Sequence, residues 1–504
     1  MQKLEQDIAR IRARDASLFS DDPLVQAAIE VRLGWTDLPW QAPELAPLLE
    51  NLAQMADERD IADVVLIGMG GSSLAAYVFA DAHSDQLKRP LHVLDSTCPD
   101  DIIDLVSSLD FSRTLFIVAS KSGTTLETVT LEALLWELAG EAMTDQSARA
   151  ANFIAITDPD TPLAQRALQR GYRLIESPAD VGGRFSAFSV YGLVPSALVG
   201  VDTEKLIFEA QAAQAMCEAS DRSNPAVRLA SELWHYYQSG DDKLPLPDEA
   251  LSLWLEQMIA ESLGKEGKGI IPFLKPLTCC CSGHIMPCPD SSRSLDDPVL
   301  ARYGGITGCC MKHDVARPTA PVAQSMVVWM WATSLLGVLM GINPYDQPNI
   351  AEAKESILEV LADPHPQHWE VEVTDESIPL SELLAAAHED DYVSILAYVT
   401  DQEYEQIKAV YLPRLASMIS LPLCLEQGPR YLHSRRQLHE GGPNTGVFIA
   451  IDNHAPDSPN IALPQTDYTL RELFDAQRIG DVIALRDRDR RVTMTSIESI
   501  LSES

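Results

Sequence analysis

Residues 63–82 read DVVLIGMGGSSLAAYVFADA. A short run of β-branched and aliphatic residues meets three glycines and two serines, then continues as a helical pattern. Glycine lets the backbone approach a ligand closely, and a helix N-terminus offers unpaired N–H groups to an anion. Gly68, Gly70 and Gly71 therefore suit a phosphate site, and they equally suit a structural turn. A dinucleotide fold is the third reading, since Asp95 ends the next strand in HVLDST. Its fingerprint calls for glycine at position 73, where this chain has Ser73, and hydroxyls suit a terminal phosphate better.

Two further stretches repeat the strand-turn-helix pattern, RTLFIVASKSGTTLETVTLEALLWELA and NFIAITDPDTPLAQRALQR. Strands alternating with helices predict a parallel sheet covered on both faces. In the second unit, FIVASKSGTTLETVT places Ser120, Lys121, Ser122, Thr124 and Thr125 between a strand and a helix that carries Glu127 and Thr128. Four hydroxyls, a lysine and a helix N-terminus make a compact cradle for a phosphate monoester, with no extended groove for a pyrophosphate. A plain helix cap would need only one or two hydroxyls.

The chain has 504 residues, is 46% hydrophobic, and carries a formal charge of −36 from 74 acidic and 38 basic residues. Such acidity argues against nucleic acid or an anionic membrane as partner, and no uninterrupted apolar run reaches spanning length. The amphipathic start MQKLEQDIARIRARDASLF does not read as a signal peptide, so a cytoplasmic location is expected. Nine cysteines, five of them in the clusters Cys279–Cys281 and Cys309–Cys310, do not space out as a disulfide framework. The spacings Cys281-x2-His284 and Cys310-x2-His313 could hold zinc, although reduced thiols are the plainer expectation, and no metal is assigned.

GMGGSSL and SKSGTTLET resemble the sugar isomerase (SIS) domain, and VGGRFSAFSVYGLVP at 181–195 resembles the GGR(Y/F)S signature of the glucose-6-phosphate isomerase family. WLEQMIAESLGKEGKGIIP at 254–272 and GINPYDQPNIAEAK at 341–354 look like that family's glutamate and lysine segments. The form AES-x-GKEGKG and the late GPRYLHSRRQLHEGGPNTG are similar to the isomerase part of transaldolase/phosphoglucose isomerase fusions.

The resemblance implies an α/β protein of two SIS-type (flavodoxin-like) three-layer αβα domains, with mainly parallel sheets and flanking helices. The expected layout is a helical segment over 1–50, a first SIS domain with the phosphate cradle over 51–200, connecting helices over 201–242, and a second SIS-type domain over 243–504. It also implies cofactor-free aldose-ketose isomerisation of glucose 6-phosphate and fructose 6-phosphate, in glycolysis and gluconeogenesis, by a homodimer. Moving a proton between C2 and C1 needs a carboxylate base, and Glu261 matches the family's. Arg184 matches the cation that stabilises the cis-enediolate, and Lys354 the lysine of the ring-opening pair. Gln257 and Gln347 match substrate-contacting positions, while Gly71, Ser72, Ser120, Lys121, Ser122, Thr124 and Thr125 are expected to hold the phosphate.

The family's ring-opening histidine stands between the glutamate and lysine segments, in a stretch resembling Q-L-x-H-Q-G-T. Here only His284 and His313 lie between them, and neither sits in that pattern. RQLHEGGP after the lysine segment does resemble it, so His439 is the expected ring-opener and His433 a structural residue. Arg435 and Arg436 read as surface charges, or as ligands for an anionic group on the substrate or a partner subunit. They keep open a sugar with a 6-sulfonate, such as sulfoquinovose. A non-catalytic sugar-phosphate sensor is the remaining alternative, although the chain retains Glu261, Arg184 and Lys354.

Overall fold

A computed structural model describes residues 2–275, 318–363, 377–452 and 459–496, with short pieces at 299, 302–303, 306–307, 314–315, 368–369 and 373–374. The Cys279–Cys281 and Cys309–Cys310 clusters, His284 and His313 lie outside the described residues. The chain divides into two compact units. The first comprises Met1–Leu94, Asp110–Leu263 and Ile270–Asp346; the second comprises Asp95–Leu109, Gly264–Gly269 and Gln347–Ser504.

In the first unit β1 (Asp63–Ile67), β2 (Leu91–Leu94), β3 (Thr114–Ala119), β4 (Phe153–Thr157) and β5 (Arg173–Glu176) form one sheet in the order β2-β1-β3-β4-β5. All pairings are parallel, with Ile67 opposite both Leu94 and Val118. β3 and β4 are buried throughout, as continuous aliphatic runs covered on both faces must be. In this flavodoxin-like order the chain reverses between β1 and β3, so the loops leaving their carboxyl ends border the crevice where such sheets bind ligands. GMGGSS follows β1 and SKSGTT follows β3.

A parallel pair, β6 (Lys243–Pro247) with β7 (Ile271–Lys275), and a short antiparallel pair, β8 (Ile306–Thr307) with β9 (Asp314–Val315), also belong to this unit. So do the buried helices Ala250–Leu263 and Val322–Met340. Val322–Met340 is apolar and long enough to cross a bilayer, yet most of it is buried within the fold. The expected boundary at 243 thus differs from the observed division, because these helices complete the first unit's hydrophobic core alongside the helices Thr203–Cys217 and Pro225–Gln238. The N-terminal segment joins the same core. Trp35 packs against Phe185 and Trp331 at 5.1 and 5.0 Å between ring centroids, and Gly34 donates its N–H to the Asp180 carbonyl at 2.9 Å.

In the second unit β10 (Tyr392–Tyr398), β11 (Leu423–Gln427), β12 (Gly446–Asp452) and β13 (Arg491–Ser496) form an all-parallel sheet in the order β11-β10-β12-β13. Three of these strands match the apolar runs in DDYVSILAYVTD, ISLPLCLEQ and TGVFIAIDN; β13 is additional. Between β10 and β11 the chain is helical from Asp401, with a π-helical turn at Ile407–Tyr411 immediately before the segment Leu412–Met418 that contains Pro413.

Candidate active site

The two loops expected to hold a phosphate sit at the β1 and β3 ends of the first unit. Gly70 adopts φ +52°, which favours glycine. Gly71 lies so close to the GGRFS turn that an added Cβ would stand 2.4 Å from the carbonyl of Gly183. Ser186 fastens the two segments, its hydroxyl donating to the carbonyls of Gly183 at 2.7 Å and Gly71 at 3.3 Å. Ser72, at the end of the glycine loop, is half-buried.

In the second loop the Ser120 and Thr125 hydroxyls are hydrogen-bonded at 3.0 Å, and Ser122 accepts from the hydroxyl and the backbone N–H of Thr124. Thr125 is the N-cap of helix Leu126–Ala142 but makes no side-chain cap, because its hydroxyl turns to Ser120. Gly123 adopts φ +66°, and an added Cβ would reach the Leu163 nitrogen at 2.8 Å. Lys121 is held at the rim of the loop. Its ammonium donates to both oxygens of Asp158, at 2.8 and 2.7 Å, and to the Pro178 carbonyl at 3.1 Å.

Arg184 and Glu261 meet beside this turn. Both are buried, and Nη1 of Arg184 lies 2.7 Å from Oε1 of Glu261. Gln257, one turn earlier on helix Ala250–Leu263, donates to the other carboxylate oxygen at 2.9 Å. The guanidinium is fixed on its remaining edges: Nε donates to the Ser262 hydroxyl at 3.1 Å, and Nη2 to the carbonyls of Pro344 and Asp346 at 2.9 and 3.1 Å. Ser186, Ser262 and Asp158 were not singled out from the sequence. Ser262 stands within the AES motif, whereas nothing in the sequence pairs Asp158 with Lys121.

The second unit holds the other expected residues. Lys354 is on helix Ile350–Ala362, and Gln347 is exposed in the preceding loop. His439, on helix Arg436–Gly441, is 1% exposed, and neither ring nitrogen has a hydrogen-bond partner. Phe448, Tyr431 and Tyr392 surround it with centroids at 4.8, 6.0 and 6.4 Å. Burial, reinforced by Arg435, Arg490 and Arg436, pushes its pKa well below the ordinary imidazole value. His433 is half-buried at the end of the 3₁₀ turn Arg430–His433. That turn is tied down by Arg430, whose guanidinium grips Asp95 through two bonds of 2.8 and 2.9 Å.

Arg435 and Arg436 are not surface charges: they are 1% and 4% exposed. Arg435 pairs with Glu426 and donates to Cys424 Sγ at 3.1 Å. Arg436 pairs with Glu440 at 2.6 Å and lies 3.5 Å from Asp481. A guanidinium removed from water in this way must be matched by internal carboxylates; Glu426 and Glu440 supply them, while burial pushes the Asp481 carboxyl well above the usual carboxylate range. Among the described residues no group of three or more His, Cys, Asp or Glu is arranged to hold a metal ion.

A flavodoxin-like parallel sheet with hydroxyl-rich loops at its switch point, next to a buried carboxylate-guanidinium pair, is the architecture expected of a SIS-type α/β fold. A family model described as phosphoglucose isomerase matches residues 54–242. The chain is 32% identical over 223 residues to a probable glucose-6-phosphate isomerase of Haloquadratum walsbyi, covering 43% of this chain and 51% of that one. It is 26% identical over 410 residues to a glucose-6-phosphate isomerase of Rubrobacter xylanophilus, covering 70% of this chain and 92% of that one. A glucose-6-phosphate isomerase of Chlamydia trachomatis shares the fold with a TM-score of 0.55 at 20% identity, over 73% of this chain and 87% of that one. By these matches the chain is similar to phosphoglucose isomerases. It spans about half the length of the H. walsbyi relative and most of the R. xylanophilus one.

Proposed function

We propose that the protein is a glucose-6-phosphate isomerase, interconverting glucose 6-phosphate and fructose 6-phosphate through a cis-enediolate. The observation that carries this reading is the buried Arg184–Glu261 pair. Glu261 takes the proton from C2 and returns it to C1, and the negative charge passes from the carboxylate to the enediolate oxygens. Arg184 receives that charge without reorganising, because Ser262, Pro344 and Asp346 already hold the guanidinium. Ser72, Ser120, Ser122, Thr124 and Thr125 hold the 6-phosphate at the helix N-terminus, with Lys121 at the rim.

Lys354 serves ring opening, and its imidazole partner is His433 rather than His439. A proton carrier must reach the sugar and hold a pKa near neutrality. His439 is enclosed by aromatic rings and resists protonation, whereas His433 is a half-buried residue. A homodimer and a cytoplasmic glycolytic and gluconeogenic role complete the proposal. Sedimentation at twice the chain mass would support the dimer.

The 6-sulfonate alternative drew on Arg435 and Arg436, and both are occupied by internal carboxylates, so no observation favours it. A sensor needs the cradle but not a base pinned between Gln257 and Arg184. The test is a coupled assay with fructose 6-phosphate on the wild type and Glu261→Gln. Turnover is expected in the first and a loss on the order of 10²–10⁴-fold in the second. An inactive wild type, or an unimpaired Glu261→Gln, would overturn the proposal.

A further inference from the structure

Gln437 stands in the QLHEGG stretch one turn from His433 and is 1% exposed. A buried amide must place both its donor and its acceptor, and the partners of this one come from two distant parts of the chain. Its Nε2 donates to the carbonyl of Gly264 at 3.0 Å, and its Oε1 accepts from the backbone N–H of Asn349 at 3.1 Å. Gly264 directly follows Leu263, the last residue of the helix that carries Glu261. Asn349 is the N-cap of Ile350–Ala362, the helix that carries Lys354.

The contact is built for close approach. Gly267 donates its N–H to the Gly441 carbonyl at 2.9 Å, and a Cβ on Gly269 would stand 2.6 Å from the side chain of Leu438. A Cβ on Gly441 would fall 2.6 Å from Gln437 Nε2 and 3.0 Å from the Gly264 carbonyl. The glycines of GKEGKG and HEGG therefore let the turn Gly264–Gly269 seat on helix Arg436–Gly441, where the Gln437 amide can bridge it to Asn349.

We propose that Gln437 is a positioning residue for isomerisation: one side-chain amide fixes both the segment leaving the base Glu261 and the N-terminus of the Lys354 helix. This rests on the isomerase reading above. Gln437 needs no contact with the sugar, and its effect falls on the geometry of groups that do touch it. Misplacement of such groups by about 1 Å costs on the order of 10²-fold in rate.

The test compares the wild type with Gln437→Met, which keeps the length and removes the hydrogen bonds to Gly264 and Asn349, and Gln437→Glu. The glutamate keeps an acceptor for Asn349 and loses the donor to Gly264. Steady-state turnover of fructose 6-phosphate is measured well below the unfolding midpoint and normalised to the folded fraction by circular dichroism. The expected result is a fall in kcat on the order of 10²-fold in Gln437→Met with KM within about threefold, and a smaller fall in Gln437→Glu. A Gln437→Met enzyme within about twofold of wild-type kcat, or a loss confined to KM or to the folded fraction, would overturn the inference. If Gln437→Met does not fold, Gln437→Glu decides by the same criteria. A wild type without turnover sinks the isomerase reading itself; a working wild type with an unimpaired variant sinks only the role of Gln437.

Discussion

Gly71 shows how narrow the tolerance at this site is. A methyl group there would collide with the Gly183 carbonyl, which is backbone and has no rotamer to escape into. Gly71→Ala should lower the unfolding midpoint and raise KM for fructose 6-phosphate severalfold, because the glycine loop must lift off the turn that carries Arg184; an unchanged KM would contradict this. The two histidines call for opposite outcomes. His433→Ala should lose turnover of closed-ring glucose 6-phosphate while still exchanging the C2 proton of an open-chain substrate with solvent. His439→Leu should keep kcat but change stability with pH. Below an ordinary imidazole pKa of about 6.5, the unfolded chain binds a proton that the buried ring refuses. The wild type should therefore lose stability as pH falls below about 6.5, and the His439→Leu unfolding midpoint should fall less steeply over that window. Glu261 and Arg184 stood out as candidates because their motifs carry both chemistry and spacing, and the structure buries them as a pair. The burial of His439 was not legible, since it depends on three aromatic rings from separate parts of the second unit. The internal carboxylate of Arg435 was hidden for the same reason, with Glu426 on β11.

At the level of elements, the alternation of buried strand, turn and helix announced the first sheet, and the observed order places both hydroxyl-rich loops at its switch point. The division of the chain was less legible, because a helix such as Val322–Met340, apolar on nearly every side, carries no sign of which core it completes. The β3 and β4 ends meet in a pairing that the sequence did not announce: Lys121, just after β3, is held by Asp158, just after β4, which also accepts from the Ser177 hydroxyl. On the proposed reading, in which this loop holds the 6-phosphate, a carboxylate bound to Lys121 offsets its charge toward the incoming anion. Asp158→Asn should therefore strengthen competitive inhibition by inorganic phosphate, lowering Ki by roughly three- to tenfold at low ionic strength, with the gain shrinking as salt is added. A Ki that stays constant or rises would show instead that Asp158 aims the ammonium at the anion, so that its loss disorders the cradle.

The whole molecule carries −36 formal charges and acts on a substrate that the isomerase reading makes an anion. Two length scales separate the consequences. Between fixed surface carboxylates and an approaching sugar phosphate the repulsion is long-ranged, and it is screened as the Debye length shrinks from about 30 Å at 0.01 M salt to about 10 Å at 0.1 M. The pairs inside each unit, Arg184 with Glu261 and Arg435 with Glu426, are buried and respond much less. Adding KCl over this range should thus raise the unfolding midpoint by relieving self-repulsion without loosening the internal pairs. The same addition should raise kcat/KM for fructose 6-phosphate while leaving kcat nearly constant, because encounter is screened and the chemistry is not. Steady-state kinetics across the series, with ionic strength set by KCl alone, distinguishes this from local steering. If kcat/KM fell with salt, the positive ends at the cradle would dominate the approach, and the acidity of the remaining surface would have no part in substrate capture.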